Sequence, residues 1–311
     1  KRAETVEERL KERIVDGDRK GLDDDRVPPR LGSAYRGIRQ DDAVLLINLQ
    51  PDHGHALISA LTDPASHGLP GTPPPLAGVY TMVRLANPLT VEAKPLFEAT
   101  SFRPSLSNVF ADAGLRQLTL CESIAETSMS NILRGAATAF FPGETILVTD
   151  TPPASQVERK PELAAATLTN ELLDALKKGE HDVIVAGFPN AAVLGRTGNL
   201  KATVNAVEAI DKCLGKIAAQ IDKKGGMLVL CGTYGKAEQM IDAETGAPCR
   251  RTTAAPVPLV IAGGSRKLPL ARGTLADVAP TLLDLYGIEA PAQMSGRSLL
   301  LSADQRDAVG A

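Results

Sequence analysis

The sequence predicts an α/β fold in which a mostly parallel sheet is flanked by helices. Two observations predict this class. Short apolar runs without polar alternation recur along the chain, which is typical of strands that are covered on both faces. Between several of these runs lie long segments whose apolar residues recur every three or four positions, the spacing of one face of an α-helix. Strands that alternate with such helices pair in parallel.

The first third of the chain predicts a small region of strands and helices. The run AVLLINL at 43–49 predicts a buried strand, and Pro51 is well placed in the first turn of the helix that follows. Gly114 is a natural helix stop. In chain order, the predicted elements are a surface helix at 5–15, a strand at 43–49, a helix from Pro51, a strand at 78–83 and a short helix at 107–114.

The remaining two thirds predict the main sheet. Its strands are predicted near 116–120, 145–149, 182–187, 227–231 and 257–261, and its helices at 161–178, 202–224 and 274–286. Pro161 fits a first helical turn, where no backbone N–H is needed, while Gly179 and Gly225 close two of the helices. We expect the five strands to form one sheet.

The composition is that of a soluble globular protein long enough for two domains. Of 311 residues, 43% are hydrophobic and 23% are charged. The formal net charge of -3 gives no general attraction to nucleic acid, and 3% aromatic residues offer little for base stacking. No apolar run in the sequence approaches the ~20 residues that span a bilayer. We therefore expect neither a nucleic-acid partner nor a membrane-spanning segment.

The cysteines indicate a reducing, intracellular compartment. Cys121, Cys213, Cys231 and Cys249 are far apart and form no Cys-x-x-Cys pair, which argues against both a zinc knuckle and a disulfide framework. A cytosolic or organelle-matrix location is expected. The mitochondrion is included, because a chain that begins at Lys1 rather than Met is compatible with the removal of a targeting sequence.

The segment after the strand at 227–231 carries the most informative motif. Small residues turn the chain sharply at the carboxyl end of that strand, where open α/β sheets place their chemistry. Residues 235–240, GKAEQM, closely resemble the metal-site loop of the cofactor-independent phosphoglycerate mutases, members of the alkaline phosphatase superfamily. In that family the loop is GNAEQM and an Asp-His pair stands just before it. Here that pair is Thr233 and Tyr234.

The resemblance runs in order from about Asp41 to Leu300 through six motifs, including the closing motif GRSL at 296–299. It implies an incomplete alkaline-phosphatase-like fold. Residues 1–112 correspond to a remnant of the family's inserted transferase domain, and residues 113–311 to the carboxyl-terminal half of its phosphatase domain. The family's other half, with its nucleophile, precedes this part. The resemblance therefore implies a partner that supplies the amino-terminal half as a separate chain, or another subunit that covers the gap.

The family's functional positions carry other residue types in this chain. The two arginines that bind the substrate phosphate correspond to Gln50 and His53, and the lysine that serves phosphoryl transfer corresponds to Ala125. The positions of the family's metal ligands are occupied by Ala192, Arg196, Thr233, Tyr234 and Arg251. A two-metal phosphotransfer site needs carboxylates and neutral imidazoles, and these five residues supply neither.

This substitution pattern predicts no metal, no cofactor and no catalytic residue. The resulting hypothesis is a catalytically inactive, phosphoglycerate-mutase-like pseudoenzyme that acts as a structural or interaction subunit of a larger protein assembly. Two further candidate sites are given structural interpretations. Cys231 is interpreted as a small buried residue rather than a nucleophile. His53 and His55 are interpreted as surface histidines at a helix start rather than a metal site.

Two alternatives stay open at this point. Arg196 and Arg251, which the resemblance places together, could hold an anion, and the chain would then be a regulatory module that binds a phosphorylated metabolite. The simpler interpretation is that each arginine points to solvent or pairs with a neighbour. The chain could also be half of a split phosphotransferase completed by a partner, although a nucleophile supplied in trans would find no metal ligands here.

Overall fold

The computed structural model describes residues 37–47, 51–73, 75–85, 89–97, 104–135, 137, 139–249, 251–264 and 268–301. The predicted surface helix at 5–15 and Gln50 lie outside these ranges. The chain divides into two compact units, Lys1–Ser101 and Phe102–Ala311. This division falls before the expected boundary at residues 112 and 113. The helix in between joins the core of the second unit, where Phe110 packs with Val183 and Leu283.

The first unit contains a three-stranded parallel sheet. Its elements are β1 (Ala43–Leu46), α1 (Pro51–Thr62), β2 (Gly78–Thr81) and β3 (Ala93–Pro95), and the strand order is β1-β2-β3. Ile58 of α1 and Val79 of β2 are among its buried side chains. The predicted strand, helix and second strand are therefore confirmed, although β1 ends at Leu46, before the end of the apolar run.

The second unit is built on another three-stranded parallel sheet with the order β5-β4-β6. Its strands are β4 (Gln117–Glu122), β5 (Glu144–Thr149) and β6 (Val183–Gly187). All six residues of the central strand β4 are buried. Helices of this unit are α2 (Leu106–Asp112), α3 (Glu126–Arg134), α4 (Ala165–Lys178), α5 (Asn190–Gly195), α6 (Leu200–Lys224) and α7 (Val278–Leu285).

Helices cover both faces of this sheet. On one face, Val183 of β6 packs in a cluster with residues of α2, α3 and α7. On the other face, Leu118 and Leu120 of β4 pack with α4 and α6, and Ile184 of β6 joins that cluster. Val183 and Ile184 are consecutive and therefore point to opposite faces of the sheet. The α/β class with parallel sheets and flanking helices is thus confirmed.

One part of the fold prediction is wrong. The last two strands, β7 (Met227–Cys231) and β8 (Leu259–Gly263), form an antiparallel pair of their own. Within the described ranges, neither strand pairs with the three-stranded sheet. The apolar sequence of β7 predicted a strand correctly, but an apolar run does not specify which neighbour it pairs with.

The helices end at the glycines that predicted their ends, but α4 does not begin at the proline that predicted its start. Gly179 and Gly225 end α4 and α6 in the left-handed conformation, at φ 68° and 67°. By contrast, α4 begins at Ala165 rather than Pro161, because residues 161–164 form a turn in which Leu163 has φ 49°. No helix in the described ranges is long and apolar enough to cross a membrane.

The closing motif at 296–299 is attached to α7 by polar contacts. The carboxylate of Asp277 accepts hydrogen bonds from the backbone N–H groups of Thr274 (2.7 Å) and Arg297 (2.8 Å). The hydroxyl of Thr281 accepts one from the N–H of Leu299 (2.9 Å). Because Asp277 and Thr281 are both buried, they fix the returning chain firmly against the start of α7.

Candidate functional site

The residues at the family's metal positions lie at or just beyond the ends of elements in the second unit. Ala192 is in the short helix α5, and Arg196 directly follows it. Thr233 and Tyr234 come just after β7, and both side chains are exposed. Arg251 lies in the loop before β8, and its side chain is 80% exposed. Four of these residues, Arg196, Thr233, Tyr234 and Arg251, are thus exposed, whereas Ala192 is half-buried within α5.

Lys236 is the residue at which three of these segments meet. A Cβ added at Gly195, the last residue of α5, would contact the Lys236 side chain at 3.2 Å, so α5 ends directly against it. The Lys236 ammonium in turn donates hydrogen bonds to the backbone carbonyls of Cys249 and Arg251, the latter at 2.9 Å. The end of α5, the turn after β7 and the loop before β8 are thus joined through one lysine.

The electrostatics of Lys236 are unusual for a lysine. Its side chain is almost fully buried, with 3% of the residue exposed. Burial lowers the pKa of Lys236, and the positive charge of nearby Arg196 lowers it further. In the described structure, no carboxylate is hydrogen-bonded to the Lys236 ammonium. The ammonium donates to backbone carbonyls instead. The sequence analysis missed this residue, although a lysine at the position of the family's asparagine was a visible signal.

The two arginines behave differently. Arg251 pairs with Asp242 at 3.0 Å, and Asp242 also accepts backbone hydrogen bonds from Glu244 and Thr245. These contacts lower the pKa of Asp242, the backbone hydrogen bonds contributing most. Arg196 is exposed, and no ion pair of its guanidinium is seen in the described part of the chain. An anion site shared by both arginines stays a prediction.

The residues present do not fit a divalent cation. Ala192 has no donor atom, the two hydroxyl groups at 233 and 234 are exposed, and arginine repels a cation. The buried ammonium of Lys236 adds another positive charge to the same place. A search of the described residues finds no group of three or more His, Cys, Asp or Glu side chains arranged to hold a metal.

The other predicted positions contribute no catalytic group that the structure describes. Ala125 is half-buried at the end of a short 3-10 turn, Ser123–Ala125, after β4. Gln50 lies outside the described residues. His53 belongs to α1 in the first unit, but its side chain is outside what the structure describes.

The cysteines near the strand ends are not activated nucleophiles. Burial raises the pKa of the Cys231 thiol, which donates a hydrogen bond to the carbonyl of Gly232. Burial also raises the pKa of Cys121, to about 11. Because the thiolate is the reactive form, both shifts reduce reactivity at neutral pH. These shifts support the interpretation of Cys231 as a small, partly buried residue.

A second feature that the sequence analysis missed is a pair of buried polar side chains at the carboxyl ends of β4 and β6. Glu122 and Asn190 are both fully buried. The Glu122 carboxylate accepts a hydrogen bond from the N–H of Ala164 at 3.2 Å, while the Asn190 amide donates to the carbonyls of Pro161 and Glu162. Together they hold the turn at 161–164, which explains why α4 starts late.

Glu122 supports a pH prediction. Burial raises its pKa above 4.5, and one carboxylate oxygen has no partner in the structure. Between pH 4.5 and the raised pKa, the folded chain binds more protons at Glu122 than the unfolded chain, so stability is lost as pH rises through this window. Glu122→Gln keeps the acceptor for Ala164 and removes the charge. We expect it to raise the urea midpoint by an amount that grows as the pH rises above 4.5 and levels off above the raised pKa of Glu122.

The matched control is Glu162→Gln, which removes an exposed carboxylate from the same turn. Its effect on the urea midpoint should depend less on pH, because an exposed charge stays solvated in the folded chain. Equal pH dependence of the two variants would contradict a raised pKa of the buried Glu122 carboxyl group.

Comparison with known proteins assigns this architecture to a class. A model of the metalloenzyme superfamily matches residues 9–290. The chain therefore belongs to the metalloenzyme superfamily.

Within this superfamily, the similar proteins are phosphoglycerate mutases. The chain is 35% identical to the 2,3-bisphosphoglycerate-independent phosphoglycerate mutase of Rhodopseudomonas palustris, over 92% of this chain and 57% of that enzyme. It is 31% identical to the enzyme of the same name from Acetivibrio thermocellus, over 94% of this chain and 58% of the relative. The chain thus spans little more than half the length of the curated relatives it matches.

A solved structure supports the fold. A phosphoglycerate mutase of Leishmania mexicana, crystallised at low cobalt concentration, superposes with a TM-score of 0.69 at 23% identity. The superposition covers 94% of this chain and 57% of the mutase chain. At this level of identity the likeness establishes the α/β fold.

Proposed function

We propose that this chain is a catalytically inactive relative of the phosphoglycerate mutases, which acts as a structural or interaction subunit of a larger assembly. The observation that carries the proposal is Lys236. Its ammonium is buried where the segments of the family's metal positions meet, and it donates to the carbonyls of Cys249 and Arg251. The positive charge where these segments meet is then supplied by a side chain of the protein, the Lys236 ammonium.

The charge of Lys236 argues against repair of the metal site by neighbouring residues. A divalent cation would have to approach a buried ammonium and the guanidinium of Arg196, and the nearby carboxylate of Glu238 already accepts a hydrogen bond from Thr253. An ammonium can hold two backbone carbonyls without any metal. The loops that a metal would organise therefore keep a defined arrangement. Lewis-acid catalysis would need a bound metal ion, and these residues do not supply its ligands.

A structural role is consistent with retention of the fold, because function depends on sites rather than on folds. The buried central strand and the helices on its two faces keep the core of this fold intact without a catalytic site. The same reasoning disfavours a split phosphotransferase. A nucleophile supplied by a partner would meet alanine, arginine and hydroxyl side chains at the metal positions.

The proposal is tested by isolating the protein under gentle conditions and analysing it by native mass spectrometry and by a mutase assay. We expect the chain in a complex with at least one other polypeptide, and no interconversion of 2- and 3-phosphoglycerate by that complex. The Rhodopseudomonas palustris mutase, assayed in parallel, is the positive control. Metal-dependent mutase or phosphatase activity of the complex would contradict the proposal.

One observation keeps an anion-binding role as a second candidate. Arg196 is exposed beside buried Lys236 and makes no ion pair that the described residues reveal, whereas Arg251 is already paired with Asp242. If a phosphorylated metabolite binds here, inorganic phosphate should raise the melting temperature, and Arg196→Ala should abolish the rise. Arg251→Ala should have the smaller effect. A melting temperature that does not respond to phosphate contradicts this role.

A further inference from the structure

Two buried side chains at the carboxyl ends of neighbouring strands each have one oxygen atom without a hydrogen-bond partner. Glu122 is the last residue of β4, and Asn190 begins α5 just after β6, the strand that pairs with β4. Both residues are fully buried. In the described structure, the unpartnered atoms are Oε2 of Glu122 and Oδ1 of Asn190. Both are acceptors, so each can be satisfied only by a hydrogen-bond donor or by a cation.

The two side chains meet the same short turn. The other carboxylate oxygen of Glu122 accepts a hydrogen bond from the N–H of Ala164 at 3.2 Å. The Asn190 amide donates to the carbonyls of Pro161 at 3.1 Å and Glu162 at 2.8 Å. Glu162 and Ala164 are two residues apart, which limits the separation of their Cα atoms to about 7 Å. Both unpartnered oxygens therefore belong to side chains that reach one small buried region.

The charge of the Glu122 carboxylate is not balanced by a neighbouring side chain. Burial raises its pKa, while the N–H of Ala164 and the nearby hydroxyl of Thr151 lower it. None of these groups is cationic, and Glu122 makes no ion pair within the described ranges. A water molecule could donate to both oxygens, but it would leave a desolvated negative charge without a counter-ion. A cation satisfies the oxygens and also balances the charge.

The donor set fits a monovalent cation better than a divalent one. Divalent cations are usually held by several carboxylates, whereas this region has one. No group of three or more His, Cys, Asp or Glu side chains suited to a metal occurs in the part of the chain that the structure describes. The other oxygens at the turn are neutral, namely Oδ1 of Asn190 and the carbonyls of Pro161 and Glu162, each of which has a second lone pair. Neutral carbonyl oxygens also hold K⁺ in channel filters.

We propose that Glu122 and Asn190 bind one alkali-metal cation, Na⁺ or K⁺, against the turn at 161–164. The cation contacts Oε2 of Glu122 and Oδ1 of Asn190, and it joins the end of β4 to the start of α5. The turn that precedes α4 is held from both sides as a result. This site uses none of the five residues at the family's metal positions and goes beyond the proposed function, because it does not depend on catalytic inactivity.

The test is the melting temperature of the full chain in NaCl or KCl, with tetramethylammonium chloride keeping the ionic strength constant. We expect at least one alkali cation to raise the melting temperature by about 2 °C or more between roughly 10 and 500 mM. Glu122→Gln should abolish the rise, because it removes the charge and its amide can donate to Oδ1 of Asn190. In tetramethylammonium alone Glu122 has no counter-ion, which is the condition for the pH dependence described above.

Glu162→Gln is the matched control, since it removes an exposed carboxylate from the same turn and should keep the full rise. A melting temperature that responds to tetramethylammonium as it does to both alkali cations would overturn the proposal. An equal rise in Glu122→Gln would do the same.

Hydrogen exchange followed by mass spectrometry locates the ion. The alkali cation that gives the larger rise should slow exchange at residues 162–165 and leave Leu259–Gly263 in β8 unchanged. Protection confined to other segments, or no protection, would contradict binding at this turn. If Glu122→Gln does not fold, the exchange pattern of the unchanged chain decides. Mutase activity would contradict the proposed function but not this cation site.

Discussion

Alanine in place of Gly296 is expected to lower the free energy of unfolding by about 3 kcal/mol or more. A Cβ at this position would overlap the backbone carbonyl of Ala276 and crowd the N–H of Asp277. Both are backbone atoms at the start of α7, so the overlap cannot be relieved by rotating a side chain. The closing motif would have to move away, and the hydrogen bond from Arg297 to buried Asp277 would be lost.

The control is the same substitution in an open place. Gly215 lies within α6, where an added Cβ meets nothing within 4 Å. Gly215→Ala should raise the free energy of unfolding by roughly 0.5–1 kcal/mol, because alanine is the better helix former. Urea titrations of both variants measure the difference. Similar midpoints for the two variants would show that the closing motif does not pack against α7 as described.

Methionine in place of Lys236 is expected to destabilise the second unit by about 2–4 kcal/mol. The linear side chain of methionine occupies similar space, but the carbonyls of Cys249 and Arg251 would lose their buried donor. Buried acceptors without partners are strongly unfavourable. The loop before β8 should detach from the turn at Lys236, which is measurable as faster hydrogen exchange at residues 249–253.

Lys177→Met is the control for this prediction. Lys177 makes an exposed pair with Asp174 on α4, and its loss should change stability by less than about 1 kcal/mol. If the two lysine variants have the same urea midpoint, Lys236 is not the internal cation that holds these segments together.

Much of the fold was predictable because its signals are local. The apolar runs located the strands of the second unit and β1 and β2 of the first, but not β3, which contains no apolar run. Gly179 and Gly225 marked helix ends through a backbone conformation that glycine adopts readily. The pairing of β7 with β8 was not predictable. Strand partners depend on contacts between distant segments, and an apolar run has the same appearance at the centre of a sheet and at its edge.

The residues of the candidate site stay a prediction from motif resemblance, whereas the contacts around them required the structure. Motif alignment located Ala192, Arg196, Thr233, Tyr234 and Arg251 in the loops and helix ends beside the strands. The same alignment passed over Lys236 and Glu122, whose importance comes from burial. Lysine and glutamate are usually exposed, so burial of either is a tertiary property that spacing does not reveal. The short helix α5 was missed because six residues carry too little periodicity.

The measurement that tests the central claim most directly is the metal content of the purified chain. The protein is incubated with Mn²⁺ or Zn²⁺, treated with a mild chelator, passed through a desalting column and analysed for both elements. The account predicts far less than one metal ion per chain, because the five ligand positions hold no carboxylate or imidazole and Lys236 places a buried positive charge among them. About one metal ion per chain, retained after chelation, would contradict it.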